Sequence, residues 1–193
     1  MNTAEYRLTF ITGGARSGKS AHAVELAKQS GAPTLYVATA EAMDSEMAER
    51  IRRHRADRPD TWRTLEEPLE FARRVEAEAP PGSVVIVDCL TVWLGNLLHH
   101  HVSDANKPEG AEVERARQQA LEELELLCRL PEAGQLRLIV ISNEVGSGLV
   151  PPYPLGRAYR DLLGEVNQLI ARKADSVLLL VAGIPLDLKE IAR

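Results

Sequence analysis

Eight residues near the start of the chain carry the most chemical information. Gly13-Gly14-Ala15-Arg16-Ser17-Gly18-Lys19-Ser20 has the form Gly-x4-Gly-Lys-Ser and follows the apolar run Leu8-Thr9-Phe10-Ile11-Thr12. Each residue type has its own task in holding a triphosphate. Glycines let backbone N–H groups approach phosphate oxygens with no Cβ in the way. Lys19 reaches the β- and γ-phosphates, Ser20 Oγ is placed for Mg²⁺, and the N-terminus of the following helix adds partial positive charge. The pattern arises by chance about once in 150 chains of this length. Its context, a strand before and a helix after with Ala23, Val24, Leu26 and Ala27 spaced for a buried face ending at Gly31, favours a nucleotide site over a mere glycine-rich turn.

Other groups could serve the same chemistry. Val84-Val85-Ile86-Val87 ends in Asp88, where such proteins keep the acid that holds Mg²⁺ directly or through water. Capping the helix that begins near Thr91 is a compatible second role for it. His54 stands among Arg50, Arg53, Arg55 and Arg58. On a helix that also carries Met43, Met47 and Ile51, Arg50 and Arg58 fall one turn to either side of His54, so an imidazole and two guanidinium groups share one face. That set suits nucleophilic attack at phosphorus, and the cations favour the neutral imidazole that can attack. Spacing alone also describes a solvated basic face, and taken by itself favours it.

The segment Ser142-Asn143-Glu144-Val145-Gly146-Ser147-Gly148 follows another apolar run. Ligands of open α/β sheets bind beyond strand C-termini, which makes Asn143 and Glu144 candidate substrate-site residues, with a flexible glycine turn as the alternative. Asn167, among Leu163, Val166 and Ile170, reads as a half-buried amide with a specific partner. His99-His100-His101 cannot all face one ion from a regular element and reads as a solvated turn. His22 points away from the phosphates by helix geometry and reads as a packing or surface residue.

These groups need a frame. Strands are expected at 8–12, 34–38, 62–65, 83–87, 136–141 and 177–181. Helices are expected at 21–29, 41–58, 68–79 (started by Pro68), through Val92, Trp93 and Leu97, at 111–130 and at 155–173. His99–Gly110 is expected as a long mobile loop, Gly183-Ile184-Pro185 as a turn, and 186–189 as a short antiparallel edge. Apolar strands alternating with helices imply an α/β fold of the P-loop NTPase type, a mostly parallel sheet with helices on both faces. A chain of 193 residues without a linker, repeat or low-complexity tract implies one nucleotide-binding catalytic domain, 1–193. A formal net charge of −5 argues against a nucleic-acid partner, and no apolar run is long enough to serve as a membrane segment. Cys89 and Cys128 lack metal spacing and read as buried free thiols of a cytoplasmic protein.

The sequence resembles, almost end to end, the bifunctional adenosylcobinamide kinase/adenosylcobinamide-phosphate guanylyltransferase family of cobalamin biosynthesis. The resemblance rests on Thr12 to Ser20, on Tyr36-Val-Ala-Thr39, and on Asp44-x-Glu46-Met47-x-x-Arg50-Ile51-x-x-His54-x-x-x-Arg58-Pro59. Trp62-Arg63-Thr64-x-Glu66 and Asn143-Glu144-Val145-Gly146-x-Gly148-x-Val150-Pro151 complete it. It implies phosphorylation of the aminopropanol hydroxyl of adenosylcobinamide by ATP or GTP, then transfer of GMP from GTP to adenosylcobinamide phosphate with release of pyrophosphate. By similarity His54 takes GMP covalently. Ala38, Thr39, Ala40, Arg55, Ala56, Asp57, Arg58, Glu66 and Asp88 then join Gly13–Ser20 in the guanine-nucleotide site, with Mg²⁺ at Ser20 and Asp88. Some relatives carry a second His beside the nucleophile, whereas Arg53 and Arg55 flank His54 here. The resemblance also implies a homo-oligomer, a trimer in some relatives. The alternatives are a small-molecule kinase with a structural His54 and a nucleotide-dependent binding module.

Overall fold

The computed structural model describes residues 6–41, 49, 52, 55 and 58–192. Most of the helix expected over 41–58 lies outside them, including Met43, Met47, Arg50, Ile51, His54, Ala56 and Asp57. The strands are β1 (Leu8–Gly13), β2 (Thr34–Ala38), β3 (Arg63–Glu66), β4 (Val84–Asp88), β5 (Arg137–Ile141), β6 (Ser176–Val181) and β7 (Ile184–Asp187). They form one seven-stranded sheet in the order β3-β2-β4-β5-β1-β6-β7. Every pairing is parallel except β6 with β7, which is the expected antiparallel edge. β2 is buried along its whole length and β4 up to Asp88, as continuous apolar runs covered on both faces should be.

Helices cover the two faces unequally. α2 (Phe71–Glu78), α3 (Leu90–His101), α4 (Gly110–Ala133) and α5 (Pro154–Lys173) build the larger core. There Trp93, Leu97, Leu124 and Val166 have no exposure. The Trp93 indole meets Phe71 edge-on at 5.4 Å and donates to the Leu69 carbonyl at 2.8 Å. On the opposite face α1 (Lys19–Ser30) lays Ala23, Val24 and Ala27 on Ile11, Ile86 and Ile141. Tyr36 belongs to this second cluster.

Several expected boundaries move, each for a local reason. α1 starts at Lys19, two residues before the expected Ala21, directly on the left-handed Gly18. α2 starts at Phe71 rather than Pro68, because the Glu67 carboxylate accepts the N–H groups of Leu69 (3.0 Å) and Glu70 (3.2 Å) and holds them in a turn. His99–His101, expected as a solvated turn at a helix end, are the last turn of α3, with His99 and His100 exposed, rather than part of the loop. Buried Leu97 and Leu98 anchor that turn, and imidazoles are well tolerated at the negative end of a helix. The loop expected over His99–Gly110 therefore shrinks to 102–109. It is tied to α4 by Ser103 Oγ donating to Glu112 at 2.8 Å and by a Glu109–Glu112 capping box. Ile184 and Pro185, expected in a turn, already belong to β7. Asp187 there accepts from Ser176 Oγ at 2.8 Å and caps the short helix α6 (Leu188–Ile191).

Candidate nucleotide site

The parallel strands bring their C-terminal ends to one edge, and nearly every site residue expected from sequence within the described residues lies at or just beyond it. β1 ends in Gly13, β2 in Ala38, β3 in Glu66, β4 in Asp88, and β5 leads to Asn143 and Glu144. The Gly13–Ser20 loop depends on glycine at two points. At Gly13 (φ 146°) a Cβ would lie 2.4 Å from the Leu180 carbonyl oxygen, and at Gly18 (φ 96°) 3.3 Å from Gly183 Cα. The Gly183 N–H donates to the Ser17 carbonyl at 3.0 Å and closes the loop onto the β6–β7 turn. Lys19 is buried, and its Nζ donates to the carbonyls of Gly13 (3.0 Å) and Gly14 (2.7 Å). The cation thus sits inside the Gly13–Ser20 loop.

Beside the loop is a cavity of about 680 Å³, bounded by Ala15–Ser20, by Ala21, Val24, Glu25 and Lys28 of α1, and by Tyr36, Asp88, Cys89, Ile141 and Asn143. Its size is that of a small-molecule site. The Tyr36 hydroxyl donates to Asp88 Oδ2, and the Arg58 guanidinium lies 3.5 Å above the Tyr36 ring centre. Burial, and then the Asp88 charge, push the Tyr36 phenol far above its ordinary range, so it stays a donor. Asn143 is held by its backbone: its N–H donates to Thr91 Oγ1 at 2.7 Å and its carbonyl accepts from Asn167 Nδ2 at 3.0 Å. Tyr159 donates to the Thr91 carbonyl at 3.1 Å and steadies the same turn. This backbone contact is the specific partner expected of Asn167.

The expected site residues do not all converge. The phosphate loop, Asp88 and Asn143 share the cavity. Glu144 is exposed and its carboxylate accepts the Gly146 N–H of its own loop. Thr39 is fully buried, with its hydroxyl both donating to the Cys89 carbonyl and accepting the Cys89 N–H, each at 2.9 Å, so it ties the end of β2 to that of β4. Glu66 lies 3.6 Å from Arg55 in an exposed pair. β3 is four strand spacings from β1, roughly 19 Å.

Tyr36, Glu25 and Lys28 are cavity residues that sequence reasoning missed. Val24, Glu25 and Lys28 follow Ala21 at helical spacing, so the face was legible. Tyr36 pairs in register with Ile86, two residues before Asp88. Its side chain therefore shares a face with Asp88, a relation that no single-strand pattern contains.

Both cysteines are free. Burial, and for Cys89 next the Asp88 charge, raises each thiol to about 11. At pH 8 each should hold about a hundredfold less thiolate than an ordinary cysteine. Alkylation by iodoacetamide, followed by mass spectrometry, should be slow in the folded chain and fast in denaturant. Both thiols are half-buried rather than fully buried, and fast labelling of Cys89 when folded would contradict its raised thiol.

Comparisons with known proteins place this geometry. Residues 9–188 match the family described as cobinamide kinase / cobinamide phosphate guanyltransferase (CobU). The chain is 48% identical over 179 residues to the bifunctional adenosylcobalamin biosynthesis protein CobP of Pseudomonas aeruginosa, covering 93% of this chain and 95% of that protein. It is 37% identical over 182 residues to the bifunctional adenosylcobalamin biosynthesis protein CobU of Escherichia coli, covering 94% of this chain and 99% of the relative. A solved structure from Pyrococcus horikoshii OT3 superposes with a TM-score of 0.51 at 8% identity, over 94% of this chain and 85% of that one, a likeness of fold alone. No helix among the described residues is long and apolar enough to cross a membrane.

Proposed function

Because this chain belongs to the cobinamide kinase / cobinamide phosphate guanyltransferase family, we propose a division of its two reactions among named residues. The enzyme phosphorylates adenosylcobinamide and guanylylates the product. The observation that carries the residue assignment is the single cavity shared by Lys19, Ser20, Asp88 and Asn143.

In the kinase reaction the aminopropanol hydroxyl of adenosylcobinamide attacks the γ-phosphorus of ATP or GTP, the bond to the β–γ bridging oxygen breaks, ADP or GDP leaves and the hydroxyl gives up its proton to solvent. Lys19 exchanges the Gly13 and Gly14 carbonyls for β- and γ-oxygens and stabilises the charge that develops there. In the second reaction a His54 ring nitrogen attacks the α-phosphorus of GTP and pyrophosphate leaves. An oxygen of adenosylcobinamide phosphate then displaces His54 from the phosphoramidate and gives adenosylcobinamide-GDP. Ala38, Thr39, Ala40, Arg55, Ala56, Asp57, Arg58 and Glu66 complete the guanine-nucleotide site, and Asn143 with Glu144 borders the acceptor.

Ser20 and Asp88 fit Mg²⁺. They are hard oxygen donors facing one cavity, and Mg²⁺ commonly takes one or two protein oxygens together with phosphates and water. Bound there with the nucleotide, it would neutralise phosphate charge, with Asp88 touching it directly or through water. The chain is read as one catalytic domain, working as a homo-oligomer such as a trimer, in the cytoplasm, a compartment consistent with its unpaired thiols.

With adenosylcobinamide supplied, label from γ-phosphate-labelled ATP or GTP should appear in adenosylcobinamide phosphate, and label from α-labelled GTP in adenosylcobinamide-GDP. Transfer from the γ position alone would reduce the protein to a kinase. Hydrolysis without either transfer would favour a nucleotide-dependent binding module.

A further inference from the structure

Tyr36 has no part in the reactions as derived, yet it makes two specialised contacts at the cavity. Its side chain sits in the sheet core and the residue is 2% exposed, where a phenylalanine would fill the same space without a hydroxyl to satisfy. A buried hydroxyl is costly unless bonded, and here its partner is Asp88 Oδ2. The ring face carries the Arg58 guanidinium at 3.5 Å. Among the described residues the buried Arg58 Nε has no hydrogen-bond partner, and the aromatic face is the contact seen on that side of the guanidinium. Arg58 follows His54 by four residues.

We propose that Tyr36 is a positioning residue for both reactions: its hydroxyl orients the Asp88 carboxylate toward the Mg²⁺-nucleotide, and its ring docks Arg58 at the same cavity. The proposal rests on the roles given above to Asp88 and His54. Its two halves separate chemically. The hydroxyl acts wherever Asp88 acts, and so in both transfers. The ring acts on Arg58, four residues after His54 in the chain, and so on guanylyl transfer alone.

Tyr36→Phe keeps the ring and removes the hydroxyl. The Mg²⁺ concentration needed for half-maximal rate should rise about tenfold in both reactions, the size expected for losing a hydrogen bond to a charged group. Excess Mg²⁺ should recover most of the maximal rate. Without any turnover, the tightening of GDP binding by Mg²⁺, measured by calorimetry, should shrink by a similar factor. An unchanged Mg²⁺ requirement together with unchanged Mg²⁺-dependent GDP binding would overturn the role of the hydroxyl.

Tyr36→Leu also removes the aromatic face. The rate of covalent GMP attachment should then fall about three- to tenfold relative to the kinase rate, the range of a partly buried cation–π contact. A ratio equal to that of Tyr36→Phe would overturn the role of the ring. If Tyr36→Leu does not fold, as judged by thermal unfolding, Arg58→Lys replaces it, since Lys keeps the charge and loses the planar stack. A wild-type enzyme that forms no GMP adduct would instead refute the role of His54, while the calorimetric result on Tyr36 and Asp88 would stand.

Discussion

His54→Ala should retain phosphorylation of adenosylcobinamide and lose guanylyl transfer by about 10⁴-fold or more, because removal of a covalent nucleophile leaves only binding and electrostatic stabilisation. The two transfers occur at different phosphorus atoms. The γ-phosphorus is attacked by the substrate hydroxyl and needs no enzyme nucleophile. In the proposed reaction the α-phosphorus is attacked first by His54, so loss of the imidazole should remove that step and the displacement that follows it. Incubation of the wild-type chain with α-labelled GTP should leave acid-labile, alkali-stable label on the denatured protein, as a phosphoramidate does. The variant should show none. Label persisting on His54→Ala would remove this residue from the mechanism, and a parallel loss of kinase activity would assign it a structural role.

Lys19→Ala should fail more broadly, losing both transfers by about 10³-fold, as expected when one preorganised charge is withdrawn from a phosphate site. The structure explains why no neighbour should substitute for it. The ammonium is buried and held by the carbonyls of Gly13 and Gly14 at 3.0 and 2.7 Å, inside a turn that the Gly183–Ser17 contact closes. Lys19→Arg should not rescue, because a planar guanidinium does not fit a cradle built around a compact ammonium. Measuring γ- and α-label transfer in one preparation tests the assignment. Loss of γ-transfer with wild-type α-transfer would mean that the loop serves the kinase reaction only and that GTP for the second reaction binds elsewhere along the sheet edge. The distance of Glu66 from the loop, four strands away, makes that comparison informative.

Much of the frame was legible in the chain. Apolar strands alternating with helices foretold the parallel sheet, and the 186–189 edge came within two residues of its place. The Gly13–Ser20 loop was legible because its turn depends on consecutive residues, with glycine required at Gly13 and Gly18. Asp88 was legible because a carboxylate closing an otherwise apolar strand is costly to desolvate unless a cation or a hydrogen-bond donor meets it there. The errors have equally local causes. Glu67 accepts two N–H groups that would have opened a helix at Pro68. Buried leucines carry α3 through three histidines that look polar enough to end it.

What the sequence determined by itself is thus whatever depends on neighbours along the chain: the elements, the loop, the acid at the end of β4, and the family motifs that single out His54. Only the tertiary structure decided which strand ends lie side by side. β5 stands between β4 and β1, which puts Asn143 in the cavity with Lys19 and Asp88, while β3 at the edge carries Glu66 away from it. The pairing of β2 with β4 sets Tyr36 on the face of Asp88 and beneath Arg58. The physical reason is that side-chain periodicity records which face of an element is buried, whereas strand order is set by long crossovers whose packing involves the whole sheet.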